Sequence, residues 1–131
     1  MEVERRAFYN LGVILKEAKE KVEKARVKVP DGEPTLDINL GREAELLKEL
    51  GIPLAILTNS SLIWREDVRE DLIKFGFVSL KLDVVSEQLW RKIDRPHKSL
   101  KLDEILDGML KFRKSFKGKL ITETMLIDGI N

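Results

Sequence analysis

The chain has no cysteine. That absence removes disulfides, a thiolate nucleophile, thiolate-bound zinc and a cysteine-held iron–sulfur cluster together. Histidine is nearly as scarce, with His97 the single example. A Ser-His-Asp triad would hang on that residue, and a metal site would have to be mostly carboxylate, so neither is expected. Gln occurs once, at Gln88, while Lys, Arg, Asp and Glu supply 36% of the residues, a bias compatible with a heat-adapted source. The charges nearly cancel, to +1 at pH 7, which makes no case for nucleic acid or a membrane surface as partner. No apolar run approaches the roughly 18 residues of a membrane span. The opening MEVERRAFYN also lacks the apolar core of a secretion signal, and a cytoplasmic protein is expected. The 131 residues suit one domain.

What is present centres on residues 27–36, VKVPDGEPTL. Gly32 and Glu33 follow a short β-like run and precede Pro34, Thr35 and a new helix, as in a binding loop at the C-terminal end of a parallel strand. Gly32 lets a backbone come close to a ligand, and Glu33 offers an acceptor for an ammonium group. Asp-Gly beside Pro is also ordinary turn chemistry. The site reading therefore needs the rest of the chain.

Around this loop the chain alternates. Apolar residues recur at helical spacing over residues 10–25 with a solvated charged face opposite. The run at 26–29, RVKV, comes next with no turn residue and reads as a short, frayed or absent strand. Leu40, Ala44, Leu47 and Leu50 make a helix stripe closed by Gly51. Residues 52–57 read as a strand ending in Thr58, Asn59, Ser60 and Ser61. A helix is expected over 65–75 with Val68, Leu72 and Ile73 inward, then a strand over 77–82 carrying Lys81, with Asp83 just beyond it. Ser86 is placed to cap a short helix through Ile93 that packs Leu89, Trp90 and Ile93. The segment 94–99, DRPHKS, is a loop, and a longer helix over 101–116 buries Leu102, Ile105, Leu106, Met109 and Phe116. A last strand is expected over 119–127, then a turn at 128–131. Alternation of this kind implies parallel strands with helical crossovers. The polar clusters at 31–35, 58–61, 81–83 and 128–131 all fall at C-terminal strand ends, the edge where α/β folds bind ligands.

Five pieces taken together, GEPTL, LTNSSL, VSLKLD, WRKIDRPH and FKGKLITETMLIDGIN, resemble the radical S-adenosylmethionine (SAM) enzymes. The likeness is to their archaeal and bacterial Fe–S oxidoreductases related to glycyl-radical activating enzymes, and it runs over nearly the whole chain. The resemblance implies an α/β fold, an incomplete parallel (β/α) barrel of about three to four strands in a single partial domain. It implies that Gly32 and Glu33 stand in the motif that holds the methionyl ammonium, with Asp31 where a first Gly is usual. It also implies that Thr58, with Asn59 beside it, sits at a strand end of the site, and that Lys81 and Asp83 lie near the methionyl and ribose groups. His97 is read as packing and local hydrogen bonding.

The departure from the family is the missing CxxxCxxC motif, whose thiolates would hold a 4Fe–4S cluster. The stretch 1–9 resembles the segment C-terminal to that motif in relatives, so the first strand and cluster loop are expected to be absent. The chain is then a fragment or degenerate homologue of such an oxidoreductase, without catalytic residues or metal, and with at most a weak, vestigial SAM site. The competing reading is an α/β interaction module with unprotected sheet edges that forms a homodimer or docks on a companion chain. A cluster-free methyltransferase is disfavoured for want of a glycine-rich nucleotide loop.

Overall fold

A computed structural model describes Glu4, Arg5 and residues 32–51 and 53–131. The expected helix at 10–25, the weak strand at 26–29, Asp31 and Ile52 lie outside the described residues. Within them the fold is α/β, with three parallel strands, β1 (Ala55–Thr58), β2 (Phe77–Lys81) and β3 (Lys119–Glu123), in the order β1-β2-β3. Ala55 pairs with Phe77 and Phe77 with Lys119, so the three C-terminal ends stand at one edge. Helix α1 (Leu40–Lys48) precedes β1, α2 (Glu66–Leu72) links β1 to β2, and α3 (Glu87–Ile93) and α4 (Leu102–Ser115) link β2 to β3. This is an incomplete (β/α) barrel. No helix among the described residues is long and apolar enough to cross a membrane.

Side chains alternate across a strand, so the register sorts them into two faces. Ile56, Val78 and Leu80 are 0–1% exposed and pack with Val68, Leu72, Ile105 and Phe112 into one core. The opposite face carries Leu57, Ser79, Lys81, Ile121 and Glu123, of which only Ser79 is buried. Each fully buried aliphatic or aromatic side chain contributes about 1.5–3 kcal/mol, so stability is concentrated on the helix-covered face. Gly108 lets α4 lie close to the chain leaving β1: a Cβ there would meet the Ile63 carbonyl oxygen at 2.6 Å.

Helix α1 ends as expected, with the Gly51 N–H on the Lys48 carbonyl and Gly51 at φ 69°. Several other expectations need correction. Helix α2 stops at Leu72, and Ile73, expected inward, is 42% exposed because the chain leaves the helix there in a turn. The Ser86 side chain makes no capping bond to α3. Phe112, missing from the expected core, is fully buried and stacks on Phe116 at 4.8 Å. Strand β3 ends at Glu123 rather than Ile127. Beyond it the Met125 N–H turns away to the Asp83 carboxylate at 2.8 Å, so no ladder continues.

Candidate functional site

Glu33 is the hub of the C-terminal edge. Pro34 has no N–H to offer, so the Glu33 carboxylate passes over it and caps the 3₁₀ turn Pro34–Leu36 at the Thr35 N–H, 3.1 Å away. The same Oε1 accepts from the Thr35 hydroxyl at 2.5 Å and the Thr58 hydroxyl at 2.6 Å, while Oε2 accepts from the Asn59 N–H at 2.7 Å. The loop before the 3₁₀ turn is thereby bolted to the end of β1. Each carboxylate oxygen offers about two lone-pair positions; three donors crowd those of Oε1, while Oε2, with one donor, retains one. Gly32, at φ 73°, supplies the left-handed backbone that brings Glu33 to this edge.

The loop after β1 is folded around its own side chains. Thr58 Oγ1 accepts from the Ser60 N–H and Asn59 Oδ1 from the Ser61 N–H, at 3.1 and 2.9 Å. Ser60, at φ 67°, is a non-glycine residue in the left-handed region, a conformation that functional sites often hold. From beneath, Arg5, with its side chain 3% exposed, donates to the Thr35 and Asp37 carbonyls at 2.8 and 2.7 Å. It also pairs with Asp67 and Asp71 of α2 at 3.2 and 2.5 Å. A buried guanidinium so surrounded fixes the 3₁₀ turn to α2.

At the end of β2, Lys81 Nζ lies 3.2 Å from Asp83 Oδ2 and 3.9 Å from Asp94 Oδ1. Burial pushes the Asp94 carboxyl up to about 6, the neighbouring Asp83 adds to this, and Lys81 works against it. Burial also acts to raise Asp83. It is outweighed by the Asp94 carboxyl, the Met125 N–H and Lys81, so Asp83 stays below the ordinary carboxylate range. Asp83 also organises the chain beyond β3: Asn131 Nδ2 donates to the Asp83 carbonyl at 3.0 Å and to the Met125 carbonyl at 2.8 Å. The segment 128–131 therefore does reach the C-terminal edge, by side-chain bonding rather than as a strand end.

Two cavities open here. One, of about 270 Å³, is lined by Gly32, Glu33, Thr58, Asn59, Lys81 and Glu123 among others. The second, of about 260 Å³, shares Asn59 and Lys81 with it and adds Asp83, Asp94 and Ser61. Five of the six residues singled out by sequence thus surround one cavity, and Asp83 faces the other. Sequence reasoning misses Asp94 and Arg5. Asp94 stands in the WRKIDRPH piece with no local feature to mark it, and Arg5 sits 62 and 66 residues from its carboxylate partners, a separation no local pattern reveals. His97 bonds within its own loop, Nδ1 lying 2.7 Å from Ser99 Oγ.

The donor sets can be matched to the groups used by the family of the resemblance. With no cysteine in the chain and no cluster of metal-ligating side chains among the described residues, the residues do not fit a 4Fe–4S cluster. Glu33 does fit an ammonium group, through its remaining Oε2 position, and Lys81 a carboxylate.

The sequence profile of the Radical SAM superfamily matches residues 3–131. The UPF0026 protein MJ1312 of Methanocaldococcus jannaschii is 53% identical over 135 residues, covering 98% of this chain and 42% of the relative. A protein named GTPase Obg from Brachyspira hyodysenteriae is 35% identical over 101 residues, covering 76% of this chain and 15% of the relative. A UPF0026 protein of Helicobacter pylori is 33% identical over 103 residues, covering 77% of this chain and 33% of the relative. The chain therefore spans less than half the length of each of these relatives. With the profile running across almost all its residues, and with a parallel sheet whose strand ends carry the Glu33 and Lys81 cavity, the chain belongs to the Radical SAM superfamily.

Proposed function

We propose that this chain is a fragment or degenerate homologue of a radical SAM Fe–S oxidoreductase that performs no radical catalysis by itself and retains a weak site for SAM. The observation that carries the reading is the Glu33 carboxylate, immobilised by Thr35, Thr58 and Asn59 with one acceptor position left. Glu33 would hold the methionyl ammonium through Oε2. Lys81, which lines the same cavity, would hold the carboxylate. Preorganisation of this kind lowers the ordering cost of binding. The cluster that normally chelates the same amino and carboxylate groups has no ligands in this chain, which is why the affinity is expected to be weak.

Titration with SAM, followed by amide chemical shifts, should move Glu33, Asn59 and Lys81 in a saturable way at millimolar rather than micromolar ligand. Glu33→Ala and Lys81→Ala should each abolish the response. Micromolar affinity untouched by Glu33→Ala would place the site elsewhere. Reconstitution with iron and sulfide should give no stable 4Fe–4S absorbance, and its appearance would refute the reading of the cluster. A second reading, of an interaction module that forms a two-fold dimer or docks on a companion chain, is favoured by one feature. Among the described residues β3 pairs only with β2, and Met125 and Leu126 just beyond it are 45% and 79% exposed. Light scattering over a concentration series tests it: a mass held at 15.1 kDa would argue against the dimer.

A further inference from the structure

The cavity that holds Asp83 has an unmet demand for hydrogen-bond donors. Ser61 Oγ, Asp83 Oδ2 and Asp94 Oδ1 are all buried and without a hydrogen-bond partner. Ser61 is 4% exposed and the Asp83 side chain 0%, so bulk water does not serve them. Lys81 pairs with Asp83 at 3.2 Å and lies 3.9 Å from Asp94, so one ammonium, its side chain 44% exposed, serves both carboxylates. The remaining walls are neutral: Asn59 beside Ser61, and Trp90, Leu102, Ile105 and Met109 from α3 and α4. Two carboxylates thus face one ammonium, across from an apolar wall.

We propose that this cavity binds a small organic cation, a primary amine on a short apolar body. An ammonium brings a positive charge to two carboxylates that share the single Lys81 counter-charge, and its three N–H donors can also reach the buried Ser61 hydroxyl. Its hydrocarbon part would lie against Trp90 and Met109. Lys81 would be released towards the Glu33 cavity, whose wall it already forms. The charged groups facing the ligand are Lys81 and Asp83 from the end of β2 and Asp94 from the end of α3. Because burial and Asp83 push the Asp94 carboxyl up to about 6, the site carries its full negative charge only above that pH. Affinity for an amine should therefore rise with pH through this range and then level off. Amine binding here does not require SAM to bind at Glu33.

The experiment is titration of the whole chain with isoamylamine, isoamyl alcohol and isovalerate, read from amide and indole chemical shifts. Isoamylamine at about pH 7.5 should shift Ser61, Asp83 and the Trp90 indole saturably, with at least about tenfold weaker binding at pH 5. Isoamyl alcohol should bind at least about tenfold more weakly than the amine, and isovalerate not at all. Asp94→Asn, which keeps the side chain's size, should weaken the amine and flatten the pH dependence; its thermal midpoint reports whether it has folded. Equal binding of amine and alcohol would mean an apolar void only. No saturable shift with any probe would mean a cavity for water only. Either result overturns the proposal.

Discussion

The two faces of the sheet are built from alternate residues of the same strands, yet they differ in almost everything else. Ile56, Val78 and Leu80 are sealed under helices, whereas Leu57, Lys81, Ile121 and Glu123, one residue away in each strand, remain partly or fully exposed. A period of two makes this division sharp, since no strand residue serves both sides. The covered face carries the stability. The other face and the strand ends can keep polar groups at a cost the core does not bear, and the Glu33 hub and the Lys81–Asp83–Asp94 group lie there.

The largest way to sharpen this contrast is truncation of the core. Phe112→Ala should cost about 3–5 kcal/mol in urea unfolding, whereas Ile121→Ala on the open face should cost under about 1 kcal/mol. Comparable losses would mean that the open face is as much a core as the covered one. Next comes Gly108→Ala, which forces a Cβ against the Ile63 backbone. It should cost about 1–3 kcal/mol despite improving helix propensity, and calorimetry would show a lowered midpoint.

A smaller effect separates the edge from the core by pH. Asp94 holds its proton more tightly in the folded chain than in the unfolded one, so the folded state binds more protons between about pH 4 and 6. Its contribution to stability is present below the unfolded value and is lost as pH rises through about 6. After allowance for solvent at this partly exposed carboxyl the loss is on the order of 1 kcal/mol. Unfolding free energies at pH 4.5 and 7 should show that fall in the native chain and not in Asp94→Asn. A comparable effect, about 1 kcal/mol above pH 6, is expected for Lys81→Ala, because the half-exposed ammonium is the counter-charge of the buried Asp83 carboxylate. An unchanged thermal midpoint at pH 7 would show that the Asp83 charge is balanced without Lys81.

The sequence by itself determined the elements whose causes are local. The spacing of Leu40 and Ala44 with Gly51 made α1, the apolar runs made β1 and β2, and the carboxylate before Pro34 and Thr35 made the capped turn. Because parallel strands end together, it also determined that Thr58 and Lys81 would share an edge, which Glu33 joins through its bonds to Thr58 and Asn59. Phe112 was legible too, three residues after Met109, but the expected stripe ran to Phe116 instead. Tertiary structure alone decided the rest. Strand β3 stops at Glu123 because Asp83, 42 residues away, takes the Met125 N–H. Ile73 is exposed because α2 ends before it, which its apolar side chain cannot reveal. Asp94 joins the site, and Asp83 turns to the second cavity, only when α3 folds back over the end of β2. A carboxylate's partners and burial arise from chain distances that no local spacing encodes, and burial is what raises Asp94 and leaves its oxygen without a donor.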